Sequence, residues 1–240
     1  MARGGRRVDE SYLVEPQHEA ATARTGTGRA PYASAPTTIA VSTPPVLRMT
    51  LRDGRPVALR PIVPADRDRL VAGFDALSPA SRRLRFLGAV STLSDVHLRY
   101  LTEVDGHDHV AWGALDLGDL DAPGFGVGRF VRLADAPTTA EFSLTVLDTA
   151  QGLGVGQLLL AVLATVAPDV GVRTLRGVVG RENERMTRWL RRLGAVSAGS
   201  GQDLVMDLRL PIDPAASDSA ADFAETTERI RGELGAGQRT

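Results

Sequence analysis

Hydrophobic and polar positions first fall into a regular pattern at Val46. Leu47, Met49 and Leu51 alternate with polar neighbours, Asp53-Gly54 follows, and Val57, Leu59 and Ile62 resume the apolar run. That spacing predicts two strands about a tight turn. Pro64 and Asp66 open a helix expected to reach about Leu77. A second helical stretch, Pro79 to Leu87, carries Arg82, Arg83 and Arg85, and a third surrounds Leu98 to Leu101. Strands are expected at Val110 to Leu117, Gly126 to Leu133 and Ala140 to Leu147, the first two separated by a turn-rich stretch. A glycine loop, Gln151 to Gly156, leads into a helix from Gln157 to Ala167 that Pro168 and Asp169 stop. That helix is apolar on nearly every side, which suits one clamped against a sheet. A strand at Thr174 to Gly180, a helix at Glu182 to Leu193 ended by Gly194 and a strand at Leu204 to Leu210 complete the pattern. The order predicts a mixed α/β sheet with one glycine-loop crossover, not a regular doubly wound fold.

The flanks differ in texture. Residues 1–45 mix Arg, Thr, Ala, Ser, Gly and Pro with no sustained apolar period, and are expected to be unfolded. The folded domain is expected over 46–210. Residues 211–240 form an acidic tail with six acids against three arginines. Phe223, Ile230 and Leu234 fall there at helical spacing, which would let part of the tail dock on the domain or a partner, but a mostly solvated helix is the expectation.

Composition then narrows the chemistry. Of 240 residues, 28 are basic and every one is arginine; lysine and cysteine are absent. Schiff-base chemistry, thiol nucleophiles, thiolate metal sites and a lysine-bearing P-loop are thereby excluded. The net charge of −1 lacks the electrostatic footprint of a nucleic-acid binder. The early arginines Arg3, Arg6 and Arg7 precede no apolar stretch, so no secretory signal is expected. The longest largely apolar run, Leu158 to Ala167, has ten residues, too short for a membrane span. A soluble, cytoplasmic protein is the expectation.

The most informative segment runs from Ala140 through Glu141 to Gly156. A strand enters a loop with Gly152, Gly154 and Gly156 at alternate positions, and a helix follows at once. Backbone amides freed at a helix N-terminus point at an anion, and glycines let phosphate approach without a Cβ in the way. Such a loop grips a pyrophosphate without a lysine; a plain strand-to-helix turn has the same outline. A Rossmann site is disfavoured, because its third glycine would fall at Gln157 and its loop would open the first βαβ unit. A second run, Gly124 to Gly128, leads into a strand and reads as a flexible hairpin start.

Gln151-Gly-Leu-Gly-Val-Gly156 resembles the acyl-CoA pyrophosphate loop of the GNAT acetyltransferase superfamily, Gln/Arg-x-x-Gly-x-Gly/Ala. The segment from Asn183 to Met186, followed by Trp189 to Ala195, is similar to the family's Asn-x-x-Met/Ala helix. Val57 to Ile62 with Asp66, Leu77-Ser78 with Ser81, Leu84-Arg-Phe86, and Val104-Asp105 before His109 to Ala111 resemble the catalytic domain of Pat-like bacterial protein lysine acetyltransferases. The resemblance covers residues 47–210. It implies the GNAT fold, a twisted mixed sheet flanked by helices whose fourth and fifth strands splay apart to admit acetyl-CoA. It further implies that backbone groups near Leu144, Thr145 and Val146 bind the acetyl-pantetheine arm. Gln151, Gly152, Leu153, Gly154, Val155 and Gly156 would hold the pyrophosphate, with Asn183 and Met186 beside the pantetheine. Glu141 stands where this subgroup has its general base.

The chemistry is consistent with that assignment. An amine is mostly protonated at neutral pH, so its attack on a thioester needs a base, and a carboxylate in an apolar strand end has its pKa raised toward that task. On the strand pattern alone, Glu141 with Ser143 and Thr145 would only form a polar face. Several positions depart from the family: Leu190 stands where many members have a tyrosine general acid, Thr149-Ala150 where an aromatic-bearing pair is common before the loop, Leu153 where the loop usually has a basic residue, and Ala195 where phenylalanine is common. Asp105, His107, Asp108 and His109 cluster, but a solvated turn is expected and no metal. Trp112 and Trp189 are expected to pack. The resemblance implies acetyl transfer from acetyl-CoA to an amine, most plainly a protein lysine. The alternatives are a small-amine N-acetyltransferase and a non-catalytic acyl-CoA-binding interaction or sensor module. No room is expected for a second, regulatory domain.

Overall fold

The computed structural model describes residues 45–86, 92–200 and 203–237. The segment expected to be unfolded lies, apart from Pro45, outside the described residues.

Leu47–Thr50 (β1) and Pro56–Pro61 (β2) form the expected hairpin, and Arg67–Ala76 (α1), Pro79–Phe86 (α2) and Asp95–Thr102 (α3) follow. His109–Asp116 (β3), Gly126–Leu133 (β4) and Ala136–Val146 (β5) form an antiparallel run. Val155–Val166 (α4), Thr174–Val179 (β6), Glu184–Arg192 (α5), Val196–Ser200 (β7), Leu204–Arg209 (β8) and Asp218–Gly237 (α6) complete the order. One sheet of eight strands results, ordered β1-β2-β3-β4-β5-β6-β8-β7, and only β5 and β6 run parallel.

The strand β7 has no counterpart in the sequence reading. It is an edge strand, Val-Ser-Ala-Gly-Ser, with Val196 exposed and a bulge near Ser197, so it carries no apolar alternation to detect. Helix α4 begins at Val155 rather than Gln157, which places Gly154 at its N-cap and Gly156 inside its first turn.

The two faces of the sheet bury different material. On one, Leu158 to Leu163 of α4 are buried under Gly128 and Leu144. Helix α6 then covers α4 from outside: Ala220, Phe223 and Ile230 are buried, and the Thr165 hydroxyl is shared between the Ala161 and Thr227 carbonyls. The solvated helix expected for the tail is therefore corrected. A helix apolar all round needs cover on two sides, and α6 supplies the second. The other face carries α1 to α3. There Asp66, 3% exposed, holds Arg60 through two contacts of 2.6 and 2.7 Å and caps the Val63 amide at 2.9 Å.

The split that the resemblance expects between the fourth and fifth strands lies one strand later, because the β1–β2 hairpin adds a strand at the sheet edge. Strands β4 and β5 stay paired out to Gly126 and Val146. Strands β5 and β6 pair only over Thr139 to Phe142 and Thr174 to Gly177, after which each continues beside its other neighbour. Phe142 sits at the fork with its ring against Gly177, where a Cβ would come within 2.9 Å of the ring. Only glycine admits that approach.

Candidate active site

The divergence of β5 and β6 opens a cleft of about 560 Å³. Leu144, Thr145 and Val146 of β5 line one wall, and Val178 to Gly180 line the other. Gln151, Gly152, Gly154 and Gly156 close one end, and Asn183 and Met186 stand at the start of α5. The structure thus brings together nine of the expected site residues. The side chains of Leu153 and Val155 do not line the cleft: Leu153 packs against the core and Val155 is buried. Glu141 does not line it either. It lies within the paired part of β5, opposite Arg176 of β6 and just short of the fork.

The loop has the conformation its glycines permit. Gly152 has φ 84° and Gly154 φ 96°, a region costly for residues with a Cβ. The Gly154 carbonyl accepts from the Leu158 amide at 3.0 Å, starting α4. The first-turn amides of α4 have no carbonyl four residues back within the helix, and they form the positive end of its dipole, which favours an anion. Hydrogen bonds of Asp148, Gln151 and Arg52 fix this loop to distant elements. Asp148 accepts from the Ser78 amide and hydroxyl, both at 2.9 Å, and from the Ser81 hydroxyl at 2.7 Å. Gln151 donates to Ser81 Oγ at 3.2 Å. The Arg52 amide of the β1–β2 turn donates to the Leu153 carbonyl at 3.1 Å, and its guanidinium reaches Gln157 Oε1 at 3.1 Å.

Charge in the cleft is one-sided. Arg52, Arg85, Arg185, Arg188 and Arg192 line it against the single carboxylate of Asp222. A chain of net charge −1 therefore focuses positive potential where a polyphosphate would lie. Asp222 and Ser219 reach the rim from α6, whose start is tied by the Ser217 hydroxyl to the Arg192 carbonyl at 2.5 Å. Trp189, expected only to pack, packs on the core and also lines the cleft, while Trp112 is buried.

Below the fork, on the α1–α3 face, a second group of charges gathers. Burial pushes the Glu141 carboxyl above the ordinary glutamate value, against the pull of Arg85 and Arg176. Arg176 is held by Asp207 at 2.7 and 2.8 Å. Arg85 of α2 donates to Thr145 Oγ1 at 2.9 Å and so bridges this group to the cleft wall. Arg129, 5% exposed, meets His109 Nε2 at 3.1 Å and the Leu101 carbonyl at 3.3 Å. Burial lowers its pKa to about 9, and burial beside Arg129 lowers His109 to about 4, so His109 is neutral at pH 7. Burial raises Tyr100, whose ring lies 4.7 Å from that of His109.

Leu190, at the family's tyrosine position, is fully buried and touches the Gly177 side of the fork, and no tyrosine lines the cleft among the described residues. Asn183 spends its side-chain oxygen on capping α5, accepting from the Met186 amide at 3.2 Å. In the acidic-histidine cluster, Asp105 accepts three amides at 2.8 Å, from His107, Asp108 and His109. Asp108 binds Arg132 at 2.6 Å. These carboxylates hold the loop together, and no group suited to a metal occurs among the described residues. The second glycine run is not a loose hairpin start: a Cβ on Gly126 would lie 2.3 Å from the Thr145 carbonyl, so β4 and β5 close tightly there.

The Acetyltransferase (GNAT) family matches residues 85–195, a span from α2 to the end of α5 that includes the fork and the loop. An acetyltransferase of Pseudomonas aeruginosa, PA5475, is 32% identical over 154 residues, covering 64% of this chain and 82% of that one. The chain belongs to the GNAT acetyltransferase family. Acetyltransferase Pat of Mycolicibacterium smegmatis is 36% identical over 160 residues, covering 65% of this chain and 46% of that protein. The chain thus spans about half the length of that relative. The crystal structure of the GNAT domain of S. lividans PAT superposes with TM-score 0.64 at 26% identity, covering 69% of this chain and 97% of that one. The GNAT fold is thereby established, and GNAT acetyltransferases use acetyl-CoA as cosubstrate. No helix among the described residues is long and apolar enough to cross a membrane.

Proposed function

We propose that this GNAT domain transfers the acetyl group of acetyl-CoA to the side-chain amine of a protein lysine, with Glu141 as general base. The observation that carries the reading is the fork itself. Beyond Phe142 the β5 edge that faced β6 is released, beside a loop shaped for a diphosphate and one residue from a carboxyl of raised pKa. In this reading the pantetheine arm lies along Leu144 to Val146, taking the place of the missing strand. Asn183 and Met186 flank it, and the amides from Gln151 to Gly156 receive the diphosphate. Leu153 and Val155 contribute backbone only.

The chemistry follows from the charges. A lysine ammonium enters from the α1–α3 face, where Glu141 accepts its proton, directly or through water. The free amine attacks the thioester carbonyl. The developing oxyanion is met by a β5 amide that no longer pairs with β6. The tetrahedral adduct releases its second N–H proton to water and expels the CoA thiolate, which takes up a proton from solvent, since Leu190 supplies none, and Glu141 returns its own proton to solvent. Arg85 keeps Glu141 ionised for part of the cycle, and burial keeps it basic. The protein-lysine acceptor rests on likeness to the Pat acetyltransferases.

The test is a competition. Purified protein with acetyl-CoA is offered an acetyl-free bacterial protein mixture together with free amines and amino acids, and products are read by mass spectrometry. Acetylated protein lysines formed in preference to acetylated small amines support the reading. Transfer to small amines alone assigns the domain to the small-molecule class, and acetyl-CoA binding without transfer assigns it to a sensor role.

A further inference from the structure

The loop lacks its own cation, since Leu153 stands where the family usually has a basic residue and turns that side chain to the core. Two arginines from elsewhere flank the two positive-φ glycines instead. A Cβ built on Gly154 would lie 3.7 Å from Arg52 Nε, and one on Gly152 would lie 3.8 Å from Arg185 Nη2. Arg52 comes from the β1–β2 turn, about a hundred residues upstream. Arg185 comes from the first turn of α5. Both line the cleft, and neither is in an ion pair with a carboxylate among the described residues.

We infer that Arg52 and Arg185 form a split clamp on the acyl-CoA diphosphate, restoring from two distant elements the charge that the loop has lost. The inference rests on the acetyl-CoA reading of the cleft. Arg52 is positioned for this by its own backbone. Its amide bonds the Leu153 carbonyl at 3.1 Å, so the hairpin is tied to the loop whether or not the guanidinium is engaged. The guanidinium's present partners, the Gly152 carbonyl at 3.4 Å and Gln157 Oε1 at 3.1 Å, are neutral. A phosphate oxygen offers both charge and a better acceptor, and an arginine fork accommodates it. The β1–β2 hairpin, which lies outside the family match at 85–195, thus becomes part of the cofactor site.

Calorimetric titration with CoA and with 3′-dephospho-CoA tests this, using wild type, Arg52→Gln, Arg52→Lys, Arg185→Gln and the double Gln variant. Each single Gln variant is expected to bind both ligands about ten-fold more weakly, the scale of one charge-assisted contact. The double variant is expected to be weaker still. Arg52→Lys recovers most of the loss, and the dependence of Kd on salt flattens in the Gln variants. Unchanged affinity in the Gln variants overturns the clamp while leaving the cleft reading intact. Loss confined to CoA reassigns the arginines to the 3′-phosphate and overturns the diphosphate assignment. Equal loss in Arg52→Lys and Arg52→Gln means that Arg52 only braces the loop. Wild type that binds neither ligand overturns the clamp and the cleft reading together.

Discussion

The loop end of the cleft and the charged group beside its fork are made of different materials. At the loop end, backbone amides and glycine geometry form the surface proposed for the diphosphate, and the charges around them are exposed arginines drawn from β1–β2 and α5. Beside the fork gather the buried Arg129 and the half-buried Glu141, Arg85, His109 and Tyr100, with pKa values displaced by burial, and Glu141 among them is the proposed base. The contrast matches the two tasks proposed for them. A diphosphate carries permanent charge and needs donors that are already oriented, whereas proton transfer needs a group whose charge is costly to keep. Binding and chemistry should therefore separate cleanly by mutation.

The largest effect is expected at the fork. Glu141→Gln should lower acetyl transfer by about 10²- to 10⁴-fold while acetyl-CoA affinity holds, read by single-turnover kinetics beside calorimetry. The pH profile sharpens this. As the proposed base Glu141 would have to be ionised, and burial raises its pKa, so activity should fall, as pH is lowered, at a pH above that of a free glutamate. That acid limb should vanish from the residual activity of Glu141→Gln.

Next comes the cover over α4. Phe223 is 1% exposed, and Phe223→Ala should destabilise the domain by about 3–5 kcal/mol in denaturant titration. Loss on that scale would show that α6 is integral to the domain, and a change below ~1 kcal/mol would restore the solvated tail of the sequence reading.

A smaller effect is expected at the loop. Gly154→Ala places a Cβ at φ 96°, a cost of about 1–2 kcal/mol. It should weaken acetyl-CoA binding by roughly ten-fold and leave the single-turnover rate at saturation nearly unchanged. A fall in that rate instead would mean that the two ends are not separable.

The smallest belongs to the tie between them. Hydrogen bonds from Ser78 and Ser81 hold the Asp148 carboxyl below its ordinary value. Its hold on α2 is thus fully present above the ordinary aspartate pKa and lost as pH falls through the lowered one. Asp148→Asn, at an exposed site, should change the KM for the acceptor by only about two- to five-fold.

How legible each end was in the sequence follows the same division. The loop was readable because glycine spacing, a strand before it and a helix after it lie in one continuous stretch, Ala140 to Gly156. The element order was readable for the same local reason, except at β7, where an exposed bulged edge strand leaves no alternation. The partners of the loop were not readable. Nothing near Arg52 marks it as a neighbour of Gly154, and Arg82, Arg83 and Arg85 looked equivalent until the fold brought Arg85 to Thr145. Arg129 and His109 lie on adjacent strands, and their contact depends on the β3–β4 register. The burial of Phe223 and Ile230 depends on α4, some sixty residues away, so the tail's composition pointed to solvent.

The most direct test of the account is calorimetric titration of the purified protein with acetyl-CoA, beside CoA and NADH. The account predicts micromolar binding of acetyl-CoA and CoA and none of NADH. No binding of acetyl-CoA, or binding of NADH with comparable affinity, would contradict the assignment of the cleft.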